Sequence, residues 1–471
     1  MPLRVKTTSA TVINTLYLPL FLLLLLDPIT TFSTAAAPAA AWEQWSCNDL
    51  TPNLCNLTVQ SGNITIQSIP VHYWRYSKSK TDQDEDYGES STLSKSYNDT
   101  TIAHSIIALH GGPSWPHSYM LPLKQLACRG DTAEVIFYDQ AGCGKSILPH
   151  SRHTANNNDT NDESTITVKE RYPHLLDPNY YSNVELPTLI QHWGLDRYHV
   201  LGHSWGTILA QLFALNNQHN NNISVMEGLQ SLILSGPISD AKAYIAAQWD
   251  PNDTNNLASL PPFVQRRIHA LEDVQGYETD EYQAIDSVLS TFFTMRTAPP
   301  PDCFDESAKG LNEEIYVGMQ GASEFTISGV LGDLNLTSRL HELTIPVLLT
   351  HGKFDTMRPS TVKAIQNQIP RSERVMFPHS GHVSMIDDAG LMNDVVASFV
   401  HRVEGGFEIG GGDVVTTKAG DDGIVVESDV VESISVRSWT WIQVVVAFLS
   451  GLIMGELKIF RRRNGNGYTS V

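Results

Sequence analysis

The residues best suited to chemistry are Gly202-His203-Ser204-Trp205-Gly206. An apolar run at 198–201 leads into them and a helical pattern at 208–215 follows. That pattern predicts a strand, a sharp turn and a helix, with the Ser204 hydroxyl lifted to the apex. The two glycines leave room for backbone that bulkier residues would block. A serine hydroxyl is a weak nucleophile until a base takes its proton, so the chain must also supply an imidazole and an acid to orient it. Both occur late, after apolar runs: Asp355 in His351-Gly352-Lys353-Phe354-Asp355, and His382 in His379-Ser380-Gly381-His382. Serine, then acid, then histidine is the chain order for an elbow of this kind. His351 and His379 compete with His382, which is preferred for its Gly-His context just before the last helical pattern. The oxyanion needs backbone donors. The Trp205 N–H at the helix start is one; Gly112, in the loop His110-Gly111-Gly112 after an early apolar strand, is the other. The chemistry expected of this set is acyl transfer to water.

These residues need a scaffold that gathers distant loops. Short apolar runs at 105–109, 133–138, 198–201, 229–235 and 345–350, and one near Val375, alternate with helical patterns at 118–128, 359–369 and 388–403. A further helix holds Leu186, Leu189, Ile190 and Trp193, and Pro187 predicts that it starts no earlier than about Asn183. Residues 64–76 alternate like a half-buried hairpin. Polar insertions cover 77–104 and about 150–163. The alternation predicts an α/β fold with a mostly parallel central sheet and helices on both faces. It is lost over 240–340, which reads as an inserted helical cap between core segments 42–239 and 341–403. Such a sheet collects its site at strand C-terminal ends, where Ser204, Asp355 and His382 all fall.

Together these motifs resemble the proline iminopeptidase family of α/β-hydrolase serine peptidases. The resemblance runs over about 64–403. It rests on His110-Gly111-Gly112-Pro113, Asp139-Gln140-x-Gly142-x-Gly144-x-Ser146, Gly202-x-Ser204-Trp205-Gly206, Gly321-Ala322-Ser323-Glu324-Phe325 and the Asp355 and His382 loops. It implies an aminopeptidase or amino-acid amidase with Ser204, Asp355 and His382 as its triad. It also implies cap acids that hold the substrate's free α-amine. Glu324 matches one; Asp286 or Glu281 stands for the second. A carboxylate in a water-poor pocket binds ammonium strongly and rejects a blocked N-terminus. Two departures put the substrate pocket in doubt: Ser114 replaces the last glycine of His-Gly-Gly-Pro-Gly, and Ala141 stands where many members have arginine. The same triad would also serve a lumenal carboxylesterase or amidase, and the scaffold alone would serve a non-catalytic cell-surface recognition protein. No cofactor is expected, and the cysteines lack metal-ligand spacing.

The 471-residue chain is 41% hydrophobic with a net charge of −20, which suits a sizeable core and excludes nucleic acid as a partner. Residues 1–37 read as a secretory signal: Arg4 and Lys6, an apolar run at 16–26, then small residues. Sequons at Asn56, Asn63, Asn98, Asn158, Asn222, Asn252 and Asn335 predict glycosylation. Cys47 and Cys55 could close a small loop, and the odd cysteine count leaves at least one thiol free or paired with another chain. Residues 404–437 read as a flexible acidic Gly-rich stalk. Residues 438–460, opened by Trp439 and Trp441 and followed by Arg461-Arg462-Arg463, read as one membrane span. The expected topology is type I, with the catalytic domain lumenal or extracellular and a cytosolic tail at 461–471. Residues 469–471 fit a PDZ-type ligand, and 468–471 a tyrosine-based sorting signal.

Overall fold

The computed structural model describes residues 46–79, 104–130, 132–149, 167–218, 223–410, 412–416 and 426–427. The expected leader, membrane span and tail lie outside them, as do Asn98, Asn158 and Asn222. Among the described residues no helix is long and apolar enough to cross a membrane. Asn56, Asn63, Asn252 and Asn335 are all exposed.

Ten strands among the described residues build one sheet: β1 (Leu57–Ile66), β2 (Ile69–Lys78), β3 (His104–Leu109), β4 (Thr132–Tyr138), β5 (Tyr198–His203), β6 (Leu229–Ser235), β7 (Val347–Gly352), β8 (Ser372–Phe377), β9 (Gly412–Thr416) and β10 (Val426–Glu427). Their spatial order is β1-β2-β4-β3-β5-β6-β7-β8-β9-β10. The run from β4 to β9 is parallel, with β1, β2 and β10 antiparallel at the edges. β3, β5 and β7 are buried along their whole length, as parallel strands covered on both faces must be. The strand period divides them between two cores. Ile107, Leu109 and Val200 pack on one face, and Ile106, Ala108 and Leu201 on the other.

Helix α1 (Leu186–Trp193) itself starts no earlier than Asn183, the limit that Pro187 set. It continues helical turns that start at Pro178. The turn just before it, Tyr181–Glu185, is π-helical, so the α-helical ladder is already interrupted where Pro187 lacks its N–H. Helix α2 (Trp205–Asn217) is buried nearly all round, because it runs beneath the sheet's centre.

The segment 240–340 folds as helices α3 (Ala241–Gln248), α4 (Pro262–Asp273), α5 (Asp280–Phe293), α6 (Asp302–Lys309) and α7 (Glu313–Met319) with shorter turns. Part of it has its own core, from Leu257, Val264, Ile268, Ile285, Leu289 and Phe325. α8 (Pro359–Gln366) and α9 (Ala389–Glu404) complete the fold.

Two expectations give way. Cys47 and Cys55 do not pair with each other: Cys47 bonds Cys303 in α6, and Cys55 bonds Cys128. The segment carrying them is laid across the body, with Cys47 N–H on Asp302 Oδ1 (2.9 Å) and Leu54 N–H on Gln125 Oε1 (3.4 Å). Its two cysteines therefore reach different elements. Cys143 is free and buried. The region 404–437 is not wholly a stalk. Glu404 ends α9 and pairs with Arg197 (2.7 Å), while 412–416 joins the sheet beside β8. The β-branched Val414-Val415-Thr416 favours that strand over a solvated linker.

Candidate active site

Ser204 sits between β5 and α2 at φ 56° and ψ −123°. Few L-residues adopt that conformation, and here the surroundings enforce it. A side chain at Gly202 would strike the Gly206 carbonyl, and one at Gly206 would strike the carbonyl of Leu109 at the end of β3. The elbow thus needs both glycines. Ser204 N–H is held by the Ser235 carbonyl at 2.9 Å, which ties the apex to β6.

Asp355 and His382 come from the loops after β7 and β8 and meet at Nδ1···Oδ1 2.8 Å, both buried. Asp355 also accepts the N–H of Met357 (2.8 Å) and of Gly352 (3.4 Å). The cap fixes the histidine loop, because His382 N–H donates to the Phe293 carbonyl (2.8 Å) and Val383 N–H to that of Thr294 (2.9 Å). It fixes the acid loop too: Arg358 bridges Asp253 (2.8 Å) and the Asp355 carbonyl (2.8 Å). Burial alone would lower His382. The Asp355 charge and hydrogen bond, with Glu324 adding, outweigh that and hold it above the ordinary histidine value. Its Nε2 is buried without a hydrogen-bond partner among the described residues, as a base awaiting a proton should be. His351 faces Gly352 O (3.0 Å) and Arg374 (3.1 Å), and burial lowers it to about 4. His379 is exposed. Neither competes for the site.

The loop after β3 passes beside the serine; a Cβ on Gly111 would stand 3.0 Å from that of Ser204. Gly112 has φ 110°, a conformation glycine adopts without penalty. Trp205 is the first residue of α2, where N–H groups have no intrahelical partner. Its indole donates to Gln140 Oε1 (2.7 Å), and Gln140 donates to the His110 carbonyl (3.0 Å). The Asp-Gln motif therefore braces the donor loop. Ser114, the departure from glycine, keeps the left-handed φ of 64° and anchors it by donating to the Asn312 carbonyl (2.7 Å) at the start of α7. Ala141 is buried, and its N–H donates to Glu185 (3.0 Å), which burial pushes up to about 8.

A cavity of about 70 Å³ over Ser204 is walled by Gly112, His382, Trp115, Phe304, Tyr316 and Glu324, among others. Glu324 is half-buried and accepts from Tyr316 Oη (2.9 Å). Burial raises its carboxyl above the ordinary value, against the pull of His382. Asp286 is not in that wall. It lies in the layer behind, next to Phe325 and Tyr282, and is pushed up to about 6 by burial and then by the charge of Glu324. Glu281 points elsewhere: it pairs with Arg267 (2.5 Å) on the outer side of the cap. Trp115, Phe304 and Tyr316 had no sequence signal, since no spacing rule links cap residues to a loop two hundred positions earlier.

An open sheet, a serine elbow and a buried His–Asp pair over one cavity define a serine hydrolase. The sequence model for the alpha/beta hydrolase fold matches residues 105–389. The chain is 31% identical to a proline iminopeptidase of Heyndrickxia coagulans, over 63% of this chain and 91% of that protein. It is 29% identical to one of Clostridioides difficile (strain 630), over 60% and 85%. The crystal structure of the Mycobacterium smegmatis proline iminopeptidase shares the fold, with a TM-score of 0.57 at 23% identity, over 74% of this chain and 99% of that one. The chain belongs to the proline iminopeptidase family of α/β-hydrolases and is a serine hydrolase of the aminopeptidase type.

Proposed function

We propose that the protein is an exo-acting aminopeptidase that takes its substrate amine-first and is tethered to a membrane with its catalytic domain in the lumen or outside. Ser204 Oγ attacks the carbonyl of the first residue as His382 Nε2 takes its proton, and Asp355 holds the imidazole and its charged form. The N–H groups of Gly112 and Trp205 stabilise the oxyanion. Collapse breaks the C–N bond, and His382 returns the proton to the leaving amine. Water, deprotonated by the same histidine, then releases the first residue from Ser204.

One observation carries the amine-first reading: the Glu324 carboxylate shares a wall with Ser204 and His382. A substrate ammonium in that cavity would relieve the Glu324 carboxyl, which burial and the charge of Asp355 have raised. Peptides and amino-acid amides with a free N-terminus are the substrates this fits. Ser204→Ala should lower hydrolysis of aminoacyl-arylamides by about 10⁴-fold or more. Retention of activity in that variant would exclude Ser204 as nucleophile.

The tether rests on the sequence of 438–460 and the leader at 1–37. Two disulfides support the oxidising side of a membrane. Full-length protein should stay with membranes through an alkaline carbonate wash; release into the wash contradicts the tether.

A further inference from the structure

Tyr119 and His203 are buried in the wall of the cavity over Ser204, and the steps above use neither. Three hydrogen bonds run through them. Gly111 N–H donates to Tyr119 Oη at 2.8 Å. Tyr119 Oη lies 2.6 Å from His203 Nδ1. His203 Nε2 lies 3.0 Å from the His382 carbonyl oxygen. Each direction follows from the next. A carbonyl only accepts, so Nε2 carries a proton. A neutral imidazole then has a bare Nδ1, which accepts the Tyr119 O–H. The phenol oxygen keeps a lone pair for Gly111 N–H. Burial, then the neighbouring His382, hold His203 well below the ordinary histidine value, so it is neutral. Burial holds the Tyr119 phenol in its protonated form.

We infer that Tyr119 and His203 are positioning residues, a hydrogen-bonded strut that locks the oxyanion loop to the backbone of His382 through the residue preceding Ser204. The strut joins the three segments that supply the donor loop, the nucleophile and the base. It also occupies the Gly111 N–H, so the next donor, Gly112, is the one left for the oxyanion. The His203 ring packs 4.5 Å from that of His382 at 39°, which limits how far the base can swing. The tyrosine end is itself anchored, since Tyr119 N–H donates to Ser307 Oγ (2.8 Å) in α6, and Ser307 donates to the Pro116 carbonyl (2.9 Å).

The inference rests on Ser204 and His382 as nucleophile and base, not on which substrate enters. The test is therefore the rate at which a fluorophosphonate labels Ser204 in the full-length protein. Tyr119→Phe and His203→Leu should each slow labelling by about tenfold or more, as a displaced donor loop would. The double variant should be no slower than the slower single, because both break one chain. His203→Gln, whose amide offers one acceptor and one donor, should recover to within about threefold of wild type. On a turned-over substrate the loss should fall on kcat and leave KM within about threefold. Wild-type labelling rates in Tyr119→Phe, or multiplied losses in the double variant, would overturn the strut. A wild-type protein that is not labelled would overturn the nucleophile assignment instead. If His203→Leu does not fold, Tyr119→Phe removes a single oxygen and still decides.

Discussion

His382 is where opposing effects meet. Burial disfavours its charge, while Asp355 at 2.8 Å and the more distant Glu324 favour it, and the attraction wins. A general base must be neutral to act, so kcat/KM should rise with pH through a limb above the ordinary histidine value of about 6.5. Glu324→Gln removes one of the favouring charges and should move that limb to lower pH. A profile with an amine-free aryl ester checks this without substrate titration; a limb that stays or rises contradicts it. Ser204, Asp355 and His382 were legible in the sequence because motif and chain order constrain them. The sequence left Asp286 and Glu281 open as a second cap acid. In α5, Tyr282, Ile285 and Leu289 mark the buried stripe, and Asp286 and Glu281 flank it on opposite sides, both half-buried. Helical periodicity therefore leaves them open, and tertiary contacts part them: Glu281 pairs with Arg267, and Asp286 lies with Tyr282 and Phe325.

At the scale of elements, the site depends on strand ends that admit no side chain. Gly236 follows β6 at φ 61°, and a Cβ there would stand 2.6 Å from His382 Cε1. Gly236→Ala should therefore push the imidazole aside and lower kcat by about 10²-fold, with a smaller change in KM. Steady-state kinetics on folded variant protein measure it, and an unchanged kcat would mean that the loop relaxes freely. The strands and the helical segment 240–340 could be read from apolar runs and their loss. The docking of that segment could not. The bonds from His382 and Val383 to Phe293 and Thr294 join residues some ninety positions apart, and no local pattern records them. Cys47 and Cys55 show the same limit: nearness in sequence suggested a pair, but each bonds a distant element, Cys303 and Cys128. β9 was hidden in a glycine-rich stretch whose composition outweighed its few β-branched residues.

At the scale of the molecule, the features fit one use. The segment before β1 is stapled to α6 and to the turns ending at Cys128, so oxidation secures the helix that contributes Phe304 to the cavity. The net charge of −20 gives an acidic surface suited to cationic N-termini. In the proposed function, substrate enters amine-first against Glu324. That claim is tested most directly by the ratio of kcat/KM for free-amine over N-acetylated aminoacyl-arylamides, proline included, in wild type and in Glu324→Gln. Wild type should favour the free amine strongly. Glu324→Gln should lower the free-amine value by about 10²-fold and leave the slow N-acetylated reaction nearly unchanged, collapsing the ratio. Equal losses on both substrates, or a wild-type ratio near one, would contradict the claim.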